Sequence, residues 1–98
     1  HMGLASAPEI YRRLRAARVT IVFVNTRAQA ELIFQALWRL NDDNLAIALH
    51  HGSLTVEQRR KVEAAMATGR LRAVVATASL DLGIDWGDVD QVIQVGAP

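Results

Sequence analysis

Four short runs of aliphatic and β-branched residues constrain this chain more than anything else in it: Val19–Val24, Leu45–Leu49, Leu71–Ala76 and Val89–Val95. The first reads Val-Thr-Ile-Val-Phe-Val and barely alternates. A strand with one wet face alternates apolar and polar residues, whereas a continuous run suits a strand covered on both faces, as in a parallel sheet. Helical patterns separate the runs. Leu32, Ile33, Ala36, Leu37 and Leu40 read as one apolar stripe, and Val62, Ala65 and Met66 make a shorter one. An N-terminal helix is expected from about Pro8 to Ala17, with Ile10, Leu14 and Ala17 facing inward. The order α-β-α-β-α-β-(short helix)-β predicts an α/β domain, a parallel sheet of about four strands flanked by helices and joined by right-handed crossovers. The last connection, Ala78 to Asp90, contains Gly83 and Gly87 and has room for only a brief helix and a turn.

Composition narrows the reading. Only 5% of the residues are aromatic against 51% hydrophobic, so the core is built from Val, Ile, Leu and Ala. The net charge of +1 creates no overall field toward nucleic acid or membrane, and any such binding depends on local placement. The absence of cysteine excludes a disulfide framework and cysteine-ligated zinc. No apolar stretch is long enough to span a bilayer, and a cytoplasmic location is expected. His1-Met2 reads as a remnant of cloning, leaving residues 3–98 as a partial domain that stops just after a strand-like run.

In a parallel sheet all strand-to-helix turns lie on one edge, which is where ligands of open α/β sheets bind. Here those turns are Asn25-Thr26-Arg27, His50-His51-Gly52-Ser53 and Thr77-Ala78-Ser79. Each carries a hydroxyl or amide where a helix is about to begin. Helix N-termini combine unpaired N–H groups with partial positive charge, so three of them side by side suit a phosphodiester backbone. Gly52 lets the main chain approach a ligand closely. The structural alternative stands beside this one: Thr26-x-x-Gln29 and Thr55-x-x-Gln58 are capping boxes, and Ser79 is positioned to cap a short helix. Arg27 falls in a first helical turn, where the dipole disfavours a cation, so its position points to an anionic ligand or to a solvated side chain. Arg59 and Glu63 are spaced as a helix-surface pair. His50 and His51 have no metal-ligand spacing.

Asp81 and Asp85 are the acids of the third loop. Asp81 suits a first helical turn, and Asp85 suits a turn or a sugar hydroxyl. No G-x-x-x-x-G-K-[ST] loop is present, and no G-x-G-x-x-G follows a strand, so these residues do not form a nucleotide cradle of either type. The residues alone leave open a small phosphate- or nucleotide-binding module and a non-catalytic interaction fragment.

Three segments in order carry a family likeness. Val22-Phe23-Val24-Asn25-Thr26-Arg27 with Glu31 is similar to helicase motif IV, Leu49-His50-His51-Gly52-Ser53-Leu54 to motif IVa, and Ala76-Thr77-Ala78-Ser79-Leu80-Asp81-Leu82-Gly83-Ile84-Asp85 to motif V. Val89 to Pro98 matches the strand that usually follows. From about Arg18 onward the chain resembles the second RecA-like (P-loop NTPase-like) lobe of superfamily 2 helicases. Its nearest likeness is to the large-helicase-related group and its ligase-associated DEXH-box DNA helicases.

The resemblance implies roles. Thr26, Arg27, Gly52, Ser53 and Thr77 match positions that contact the backbone of a tracked strand, while Gly83 and Asp85 match positions in an ATP cleft between two lobes. Ala78 stands where many such helicases have serine. The partner implied is single-stranded DNA, with RNA as the alternative, and a DNA ligase system and DNA repair come with the subgroup. ATP and Mg²⁺ belong to the parent protein in this reading and are not expected on these 98 residues. The Gln-x-x-Gly-Arg-x-Gly-Arg segment with its arginine finger, and the first lobe with Walker A and the Asp-Glu-x-His box, lie outside this sequence. These residues alone are therefore expected to lack ATPase activity, and no catalytic residue is assigned among them. An uncovered sheet edge is expected to favour self-association.

Overall fold

The computed structural model describes residues 6–51, 55–77 and 89–95. The described chain runs α1 (Ala7–Ala16), β1 (Thr20–Val24), α2 (Arg27–Leu40), β2 (Ile47–His50), α3 (Val56–Ala67), β3 (Ala73–Thr77) and β4 (Gln91–Gln94). All strand pairs are parallel, and the order across the sheet is β2-β3-β1-β4. The expected alternation and parallel sheet are present. The short helix expected between Ala78 and Asp90 lies outside the described residues.

Side chains of consecutive strand residues point to opposite faces, and this divides the core in two. On one face Val22, Val24, Ile47, Ala73, Val75, Ile93 and Val95 pack against Ile10, Tyr11 and Leu14 of α1 and Ala30 and Leu37 of α2. On the other, Val19, Ile21, Val74 and Ala76 pack against Met66 of α3, with Val62 partly covered. All five residues of β3 are buried, as a central strand with two covered faces requires. Each fully buried Val, Leu or Ile contributes roughly 1.5–3 kcal/mol relative to exposure.

Two helix faces differ from expectation. Leu32 is 68% exposed. The inward line of α2 is Ala30, Ile33, Leu37 and Leu40, spaced by three and four residues, and Leu32 falls on the far side of that line. Tyr11 joins Ile10 and Leu14 in the core, because its hydroxyl reaches the α2–β2 loop: it donates to Asp43 Oδ2 at 2.9 Å or Asn41 Oδ1 at 3.1 Å and accepts the Asp43 N–H at 3.2 Å. The β2 strand begins at Ile47 rather than Leu45 for a local reason. The Asn41 amide takes both backbone groups of Leu45, each at 2.8 Å, and so withdraws that residue from the ladder. Asn44 holds φ +57° inside the same turn, a conformation Asn tolerates better than most residues.

Side chains lock the opposite edge of the sheet, where strands β1, β3 and β4 begin. Asp90 Oδ2 accepts the N–H groups of Arg18 at 2.9 Å and Val19 at 3.2 Å. The Arg72 guanidinium donates to the carbonyls of Leu14, Arg15 and Ala17 and covers the C-terminus of α1, where a cation is favoured. Gln91 Nε2 donates to the buried Thr20 Oγ1 at 3.0 Å and to the Arg13 carbonyl at 3.2 Å.

Candidate nucleic-acid interface

Parallel pairing brings the C-terminal ends of the strands to one edge. His50 is in register with Ala76, Val24 with Thr77, and Phe23 with Gln94. One residue past that row the chain leaves the sheet, at His51 after β2 and Asn25 after β1. The turn that carries Thr26 and Arg27 and the end of β3 at Thr77 are therefore brought together at the ends of adjacent strands.

Thr26 caps α2. Its backbone is extended (φ −132°, ψ 159°) and its Oγ1 accepts the Gln29 N–H at 3.1 Å. The expected reciprocal bond is shifted by one residue, since Gln29 Oε1 accepts the N–H of Asn25, at 3.1 Å. At Thr55 the capping box is complete: Thr55 Oγ1 accepts the Gln58 N–H and Gln58 Oε1 accepts the Thr55 N–H, both at 3.1 Å. Arg27 is the first residue of α2 and is exposed. The first turn of α2 carries no acid, whereas α1 has Glu9 and α3 has Glu57 there. The α2 terminus thus keeps its partial positive charge uncompensated by a first-turn carboxylate and adds a guanidinium, an arrangement suited to an anion. Thr77 ends β3 and is only 6% exposed.

Two further residues gather at this edge. His50 and His51 are both buried, and each meets a carboxylate from a different helical layer. His50 Nε2 lies 3.0 Å from Glu63 Oε2 on α3, and His51 Nε2 lies 3.6 Å from Glu31 Oε2 on α2. A carboxylate only accepts, so His50 Nε2 carries the proton of that bond. Glu63, expected to face Arg59 along the helix surface, is turned to His50. The sequence signal was available: a His-His pair at a strand end sends its rings to opposite faces, where glutamates on the two flanking helices can meet them.

Gly52, Ser53, Gly83 and Asp85 lie outside the described residues, as do Ala78, Ser79 and Asp81. Thr26, Arg27 and Thr77 are the described members of the expected set. Among the described residues no group of three His, Cys, Asp or Glu side chains is placed to hold a metal ion, and no helix is long and apolar enough to cross a membrane.

A family model described as the helicase conserved C-terminal domain matches residues 5–98. The chain belongs to this helicase family. ATP-dependent helicase Lhr-Core protein 2 of Thermococcus barophilus is 38% identical over 94 residues, covering 91% of this chain and 11% of that protein. The solved structure of Mycobacterium smegmatis helicase Lhr bound to ssDNA and AMP-PNP matches with a TM-score of 0.85 at 45% identity, over 94% of this chain and 13% of that one. The DUF1998 helicase MrfA, solved bound to DNA, matches with a TM-score of 0.80 at 25% identity, over 94% of this chain and 14% of that one. The chain spans 11–14% of the length of these relatives. The parallel sheet with its helices is the RecA-like C-terminal lobe of superfamily 2 helicases.

Proposed function

We propose that this chain is the second motor lobe of an ATP-dependent DNA helicase of the large-helicase-related type, and that its strand-end edge holds the backbone of single-stranded DNA. The observation that carries this reading is the 45% identity and TM-score of 0.85 to the Lhr helicase solved with ssDNA and AMP-PNP. The geometry supports it. Thr26 and the exposed Arg27 at the α2 N-terminus follow the end of β1, whose last residue Val24 is in register with Thr77, and no carboxylate in the first turn of α2 opposes a phosphate. By the motif likeness Gly52 and Ser53 are assigned to the same backbone contact. Contacts of this kind address phosphates and carry little base preference, and their strength falls as salt rises.

By the motif likeness Gly83 and Asp85 are assigned to the ATP cleft of the proposed parent, where ATP with Mg²⁺ would supply the free energy for motion between the lobes. The chemistry of hydrolysis is assigned to groups of the first lobe and to the arginine segment, while this lobe contributes the strand-holding surface.

Titration of fluorescein-labelled oligo(dT) with the wild-type chain and with Arg27→Ala tests the reading. The expected result is salt-sensitive binding that Arg27→Ala weakens several-fold, with a salt slope lower by about one. Equal affinities for the two chains at low salt would overturn it.

A further inference from the structure

We propose that the His50–Glu63 and His51–Glu31 pairs are a two-sided brace that positions the nucleic-acid edge without touching the strand itself. The inference rests on the function proposed above and adds the residues that hold its surface in place.

The brace follows from where β2 sits. In the order β2-β3-β1-β4 it lies at the margin of the described sheet, with a ladder to β3 on one side. A strand end with one ladder is the part of a sheet that opens most readily. At this end two consecutive side chains, each at most 5% exposed, face opposite layers: His50 is hydrogen-bonded to Glu63 of α3 at 3.0 Å, and His51 lies 3.6 Å from the half-exposed Glu31 of α2. Glu31 lies one helical turn after Arg27, so the His51 tie also sets the start of α2 against the end of β2. The His50 row contains Ala76, so both ties act beside Thr77.

The choice of residues supports a positioning role over simple packing. Burying imidazole beside carboxylate costs desolvation, and apolar side chains of similar volume stabilise a core as well or better. What the His50–Glu63 pair adds is direction: a hydrogen bond at 3.0 Å fixes the ring plane and the helix face that meets it, which apolar contacts do not.

The test compares ssDNA affinity with stability. Labelled oligo(dT) is titrated against wild type, Glu63→Leu, Glu63→Gln, Glu31→Ala and Arg27→Ala, well below the melting temperature of each chain, and thermal melts are recorded in parallel. Glu63→Leu is expected to weaken binding about tenfold, and Glu31→Ala, which removes a longer and half-exposed contact, about two- to threefold. Glu63→Gln keeps an acceptor oxygen for His50 and is expected to stay within about twofold of wild type. Glu31 is half exposed, so Glu31→Ala decides the matter if Glu63→Leu fails to fold. Lower melting temperatures with wild-type affinity would overturn the brace, as would Glu63→Gln binding as weakly as Glu63→Leu. If only Arg27→Ala weakens binding, the brace is wrong and the backbone-holding function stands. If Arg27→Ala also binds like wild type, that function itself falls.

Discussion

Thr77 lies in register with Val24, the last residue of the neighbouring strand, and Thr26 follows Val24 by two residues. A buried strand-end hydroxyl and an exposed helix cap thus sit at the ends of adjacent strands on one edge. Thr77→Val keeps the shape of the side chain and removes its hydroxyl. We expect a several-fold loss of ssDNA affinity, about 1 kcal/mol, with the far-UV circular dichroism spectrum unchanged. Wild-type affinity in the same titration would remove Thr77 from the interface.

Thr26 combines two tasks that substitution can separate. Thr26→Ala removes the cap on the Gln29 N–H and is expected to cost about 1 kcal/mol, or roughly 4–8 °C in melting temperature for a domain of this size. Thr26→Asp keeps an acceptor at the cap and adds a negative charge, which suits the helix dipole and repels phosphate. It should melt at or above the wild-type temperature and bind ssDNA more weakly. Undiminished binding by Thr26→Asp would place the phosphates elsewhere.

Asp90 holds two backbone donors, the N–H groups of Arg18 and Val19, at the start of β1. Val19 is buried, so Asp90→Ala leaves its N–H without that acceptor. The expected loss is about 2–3 kcal/mol, visible as a lower midpoint in urea with an unchanged m-value. A midpoint equal to wild type would show that water replaces the carboxylate.

Tyr11 makes stability depend on alkaline pH. Burial raises the phenol above its ordinary value near 10, and the hydrogen-bonded Asp43 carboxylate adds to the rise, although the Asp43 N–H donated to the hydroxyl opposes it. The folded state therefore favours the neutral phenol. Its contribution is complete below the unfolded value of about 10 and is lost as pH rises through the higher folded value. Melting temperature should fall more steeply above about pH 10 for wild type than for Tyr11→Phe. Parallel curves would assign the alkaline loss to other groups.

The strand and helix pattern was largely legible in the sequence, because both-face burial leaves apolar runs and one-face burial leaves stripes at helical spacing. The runs at Val19 and Leu71 became β1 and β3, and Thr26 and Thr55 start the next two helices. The boundary of β2 was less legible, since it depends on one Asn41 side chain competing with the ladder for Leu45. Leu32 misled for a similar reason. Hydrophobicity marks what can be buried, and only the packing of α2 against the sheet selects the line through Ala30 and Leu37.

Alternation of strand and helix, the parallel sense of the sheet, the gathering of Thr26, Arg27 and Thr77 on one edge and the helicase likeness of the three motifs were determined by the sequence alone, because each depends on local order and spacing. The order β2-β3-β1-β4 was decided by the tertiary structure, as were the Asp90 and Arg72 locks and the ties from His50 to Glu63 and from His51 to Glu31. These join residues from 13 to 72 positions apart. The His-His pair marks two rings aimed at opposite faces, but which distant residues meet is settled only once the layers have packed.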